Sequence, residues 1–167
     1  MLGYIHSFAA AAAIVGGAFV VARPKGIRIH VLAGRLYLWT LFALNISALG
    51  IYRITGGFGP FHFGALLGLA TIAAGVLLLR LWKVGGLYGH AYCMLWSYLG
   101  LLAAAVSEFA THVLDWPSSS GVMGTSLAVF IVGGVIVHRC GPAAIAKITA
   151  PISAGAPGGQ LFRGRQP

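Results

Sequence analysis

HSFAAAAAIVGGAFVVARPKGIRIH, residues 6–30, and HFGALLGLATIAAGVLLLRLWKVGGLYGH, residues 62–90, read as two copies of one pattern. Each copy is an apolar run with a histidine at either end and a short basic, glycine-bearing turn before the second histidine. The first copy continues to Tyr37 and Trp39, the second to Trp96 and Tyr98. An internal repeat sets the architecture, so it is read first. Histidine is scarce inside membranes, and its repeated placement calls for a physical reason.

Outward from the repeat, the rest of the chain has the same character. It is 59% hydrophobic and 8% charged over 167 residues. Apolar runs of about 18 residues or more read as membrane spans. Five occur, at about 3–22, 27–52, 60–82, 87–114 and 120–137. The expected fold is all-α: a polytopic transmembrane bundle of five helices in one domain, residues 1–140. Helices one and two, and helices three and four, form a parallel pseudo-twofold repeat. Residues 141–167 read as a tail rich in Pro, Gly and Ala. Helices in lipid pack through small residues, here the Gly64–Gly68 GxxxG, Ala9–Ala13, Ala103–Ala105 and Gly133-Gly134.

The net charge of +9 is distributed as a topology signal. Arg23, Lys25, Arg28, Arg35, Arg80, Lys83, Arg139, Lys147, Arg163 and Arg165 fall on one side, and Arg53 alone on the other with Glu108 and Asp115. This predicts the N-terminus outside and the C-terminus in the cytoplasm. It points to the lipid bilayer as partner and gives no support to nucleic acid. Cys93 and Cys140 then lie on the reducing side and read as packing residues. No nucleophile–base pair, phosphate loop or nucleotide motif is present, and no enzymatic activity is assigned.

Topology gives each histidine a depth. His6 and His62 open helices at the outer face, and His30 and His90 open helices at the inner face. A pseudo-twofold axis pairs His6 with His62 and His30 with His90. Two imidazoles on different helices at one depth can ligate haem b from opposite sides. Arg28, Arg35, Arg80 and Lys83 are placed to neutralise inner propionates, and Arg53 an outer one. Helix one covers ~25 Å between His6 and Arg23, so two stacked cofactors would carry electrons across the bilayer.

Two other readings stand beside this. His6, His62, Glu108 and His112 could hold zinc, copper or non-haem iron, since Glu108 and His112 share a helix face. His90, Met94, Ser97 and Glu108 line one stripe of helix four, which also fits a polar seam. Alternatively the protein is a cofactor-free accessory subunit, and its further partners are the subunits of a membrane complex. The tail and the small-residue faces would then make the contacts. His112 and His138, outside the repeat, read as interfacial. Asn45 and Thr71 read as interhelical hydrogen-bond partners. Tyr4, Tyr37, Trp39, Tyr52, Trp82, Trp96 and Trp116 read as belt aromatics.

His6, Lys25-Gly26-x-x-x-His30-x-x-x-Gly34-Arg35-x-Tyr37 and His90-x-x-x-Met94-x-x-Ser97-Tyr98, with Glu108 downstream, resemble an uncharacterised family of predicted bacterial multi-pass membrane proteins of unknown function. The resemblance covers roughly residues 4–110, with the Lys-Gly to Tyr stretch its most specific part. It implies the bacterial inner membrane and positions that matter together, but no activity. The architecture is more loosely similar to diheme four-helix cytochromes b. There one helix commonly bears ligands for both haems, whereas here each repeat helix supplies one.

Overall fold

The structure, a computed structural model, describes residues 2–25, 27–52, 56–82 and 85–153. Within them the regular secondary structure is helix: α1 (Leu2–Ala22), α2 (Arg28–Leu49), α3 (Pro60–Leu81), α4 (Gly85–His112) and α5 (Ser118–Ser153). All five are long and apolar enough to cross a membrane.

Local chemistry sets the ends. Lys25 turns back on α1, its Nζ donating to the carbonyls of Val20 at 2.9 Å and Val21 at 2.6 Å. Those carbonyls lie at the helix C-terminus, where a cation is favoured. Pro60 opens α3, where its missing N–H costs nothing. His62 completes that end, its Nδ1 accepting from the Gly59 N–H at 3.2 Å.

The departure from sequence expectation is α5. The sequence places the end of its span at about 137 and a Pro-, Gly- and Ala-rich tail from 141. Instead the helix runs through Gly141 and Pro142 to Ser153. Proline removes one backbone bond, and the alanine-rich stretch after it favours helix. Ile145 is buried there. At 36 residues the helix is ~54 Å long, against a ~30 Å hydrocarbon core, so it extends beyond one. Residues 154–167, with Arg163 and Arg165, lie outside the described residues.

The sequence-related pairs α1·α2 and α3·α4 pack closely, and α5 packs along α4. The two hairpins meet more loosely, α2 on α3 and α1 on α4. Helices α1 and α3, like α2 and α4, are therefore diagonal partners. The core is small: Ala9, Ala13, Tyr37, Leu41, Leu44, Ile72 and Leu101. Polarity is inverted relative to a water-soluble protein. Asn45, Ser47, His62, Ser97 and Ser107 are buried, while Phe8, Val15, Leu32, Phe63 and Leu67 are exposed. Lipid rewards packing and internal hydrogen bonds instead of apolar burial, which is the distribution seen.

Candidate functional site

The parallel helices α2 and α4 carry two polar layers with the same spacing. His30 and His90 form the first, and Tyr37 and Ser97 the second, seven residues or ~10 Å along each helix. In the second layer the Tyr37 hydroxyl lies 3.0 Å from Ser97 Oγ. Ser97 gives its own proton to the Met94 carbonyl at 2.9 Å, so Tyr37 is the donor between them. Tyr98, the next residue, donates to the Ile14 carbonyl of α1 at 3.3 Å and meets the Tyr37 ring edge-on at 6.4 Å. Tyr37 was expected in the interfacial belt. It is buried at 3% exposure, because α1 offers Gly17 where the two tyrosine rings pass.

In the first layer His90 Nδ1 is 2.9 Å from the Gly75 carbonyl of α3. A carbonyl only accepts, so Nδ1 carries the proton and Nε2 keeps a free lone pair. Glycine at 75 permits the approach: a Cβ there would stand 2.5 Å from Met94 Cε and 2.9 Å from Cys93 Cβ. Across the layer, the His30 ring is near His90 and Lys25 and bonds to the Val20 backbone. Its Nδ1 is buried with no hydrogen-bond partner. A buried, unsatisfied ring nitrogen is costly and asks for an explanation.

His6 and His62, at the other end of the bundle, differ from each other. His6 Nδ1 is 3.0 Å from Ser47 Oγ. Ser47 donates to the Leu44 carbonyl at 2.8 Å, so His6 is the donor and its Nε2 also keeps a lone pair. His62 is the opposite tautomer. Its Nδ1 accepts the Gly59 N–H, which puts the proton of a neutral ring on Nε2, and that atom is buried without a partner. The ring stacks on Tyr52 at 4.7 Å and lies 5.1 Å from Phe58. His6 and His62 thus hold different neighbours on diagonal helices.

Among the described residues no group of three or more His, Cys, Asp or Glu is close enough to hold a metal ion. The set His6, His62, Glu108 and His112 is accordingly not gathered into one site. His112 is exposed, and its Nδ1 approaches the main-chain carbonyl of Glu108 at 3.1 Å, not its carboxylate. Arg28, Arg35 and Arg80 are exposed. Arg53 and Lys83 lie outside the described residues.

Two further polar expectations change. Asn45 donates within its own helix to Leu41 at 2.8 Å, and Thr71 does the same to Leu67 at 2.7 Å. Neither bonds across helices. The interhelical polar cluster lies elsewhere and escaped sequence reading: Ser107 of α4 meets Thr125 at 2.8 Å and Ser126 at 2.9 Å of α5. The matching hydroxyl runs Ser107…Thr111 and Thr125-Ser126 were the available signal.

A protein-family model described as "Predicted membrane protein (DUF2306)" matches residues 3–142, which includes α5 as far as Pro142. No curated protein and no solved structure matches the chain.

Proposed function

The chain belongs to this family of membrane proteins, and we propose that it is an electron-transfer protein binding b-type haem between His30 and His90. The observation that carries this reading is the fixed tautomer of His90. Its Nδ1–H is held by the Gly75 carbonyl and its Nε2 is left free, as in imidazoles that ligate metals. His30, diagonally opposite at the same level, has a buried ring nitrogen without a partner. The two hairpins pack on each other more loosely than the helices within each hairpin do, so the seam between them is the place where a planar group would insert at least cost in broken packing. Bound haem iron would supply one-electron chemistry. Gly75 orients His90, Lys25 holds the end of α1 beside His30, and the Tyr37–Ser97 bond closes the layer above. The proposed site does not draw on His62, whose Nδ1 accepts the Gly59 N–H.

The test is a visible spectrum of protein purified in detergent from cells supplied with haem precursor, oxidised and then reduced. The expected result is the sharp reduced bands of six-coordinate low-spin haem b. Protein without a Soret band overturns the proposal.

A further inference from the structure

Arg35 is a charge to which the bundle gives no anion. It lies seven residues, ~10 Å, beyond Arg28 along α2 and two residues before the buried Tyr37, well inside the span. Ionisable groups at such depth usually face the bundle interior and find a partner there. Arg35 faces the other way. It is exposed, and no hydrogen bond or ion pair engages it among the described residues. At ~3.6 residues per turn, Arg28, Leu32, Arg35 and Trp39 share one face of α2. All four are exposed. His30, Tyr37 and Leu41 point to the opposite side of the helix. The counter-ion of Arg35 must therefore come from outside the chain.

Helix direction narrows the choice. Side chains on an α-helix lean toward its N-terminus, and a long arginine in a span extends toward the nearer membrane surface. In α2 both tendencies carry the Arg35 guanidinium along the exposed face toward Arg28. The anion met there is one the membrane surface supplies. A second copy in the same orientation would set Arg35 against an identical cationic stripe, and the chain's two acidic residues, Glu108 and Asp115, lie at the other end of the bundle. Two guanidinium groups on one stripe suit a phosphate, which accepts several hydrogen bonds at once. Beyond Arg35 the stripe turns apolar, with the Trp39 ring edge-on to Phe42 at 6.0 Å and Ile46 exposed a turn further. That surface matches an acyl chain descending from the same headgroup.

We propose that Arg28 and Arg35 hold the phosphate of an anionic phospholipid on the lipid-facing side of α2, with an acyl chain lying along Trp39. The site faces away from His30 and is independent of haem. Its test uses delipidated full-length protein in non-ionic detergent, with added phosphatidylglycerol or phosphatidylcholine brominated at the same acyl position. Quenching of Trp39 fluorescence is the difference between the unaltered protein and W39F. Phosphatidylglycerol is expected to half-quench Trp39 at a concentration lower by about fivefold for each arginine engaged. R35Q should remove most of that preference. R80Q, which neutralises an exposed arginine at the same end of the bundle, should leave it intact. Should R35Q fail to fold, the preference of the unaltered chain and its survival in R80Q still decide. Equal quenching by the two lipids overturns the proposal. So does equal loss of preference in R35Q and R80Q, which would reflect the charge of the whole surface. A second polypeptide retained by the unaltered chain and lost from R35Q, with no lipid preference, overturns it in favour of a protein segment bearing a carboxylate.

Discussion

Tyr37 and Ser97 join the diagonal helices α2 and α4 through one hydrogen bond of 3.0 Å, buried one layer above His30 and His90. Ser97 is committed to the Met94 carbonyl and accepts from Tyr37. Tyr37→Phe keeps the ring against Gly17 and Tyr98 and removes only this bond. Interhelical hydrogen bonds in bilayers average about 0.6 kcal/mol and reach about 1.7. A double-mutant cycle with Ser97→Ala, read by unfolding in mixed micelles, should return a coupling in that range. Additive single effects would show that the two hydroxyls do not interact.

The tautomers predict which histidines matter to haem. His30→Ala and His90→Ala should each eliminate haem retained through purification, assayed as the pyridine haemochrome. His62→Ala should retain it, since that ring caps α3 and stacks on Tyr52 and Phe58. Retention by His90→Ala, or loss confined to His62→Ala, would move the site away from the Gly75 carbonyl.

Small residues are not equivalent. A Cβ at Gly68 would lie 2.8 Å from Asn45 Oδ1, whereas one at Gly64 meets nothing within 4 Å. Gly68→Ala should therefore cost about 1–3 kcal/mol through overpacking. Gly64→Ala should be neutral or slightly stabilising, because alanine is the better helix former. Unfolding curves of the two variants distinguish this from a GxxxG in which both glycines pack.

Ser107 is fully buried between α4 and α5 and touches both Thr125 and Ser126. Ser107→Ala takes this partner from the Ser126 hydroxyl, while Thr125 keeps its bond to the Gly121 carbonyl, and should cost about 1–3 kcal/mol. The loss should be visible as faster proteolysis at the α4–α5 turn. Thr71→Ala, which removes only a bond within α3, should leave cleavage unchanged.

Burial lowers the Lys25 ammonium below its usual 10.5. The unfolded chain then binds that proton more tightly than the folded one. Stability should gain from Lys25 as pH rises through the interval just below 10.5, and the gain should level off above it. The difference between unaltered protein and Lys25→Met, followed from pH 8 to about 11, isolates this contribution.

The spans were legible because hydrocarbon thickness fixes how many apolar residues a helix needs, and nothing about tertiary contact enters that count. The matching depths of His30 and His90 followed from the same arithmetic. Their environments did not. Whether His90 reaches the Gly75 carbonyl depends on helix rotation and on the absence of a side chain on the neighbouring helix. His62 looked equivalent to His6 in the repeat, yet the local turn at Gly59 reverses its tautomer. Tyr37 read as a belt residue because its amphipathic ring suits an interface equally well. Gly17 on another helix is what admits it to the core. The end of α5 was misjudged because glycine and proline signal termination locally, while the alanines beyond them sustain the helix.

The neighbour relationships also bear on biogenesis. Apart from the seam between α1 and α4, every close helix pair joins segments that follow one another in the chain. As each new segment leaves the insertion machinery, its main partner is already in the bilayer. Only the first helix has to wait, exposed to lipid until the fourth arrives to seal the seam. Insertion intermediates truncated after α3 should thus be the vulnerable ones, and the final helix adds to an assembly whose bundle is already closed.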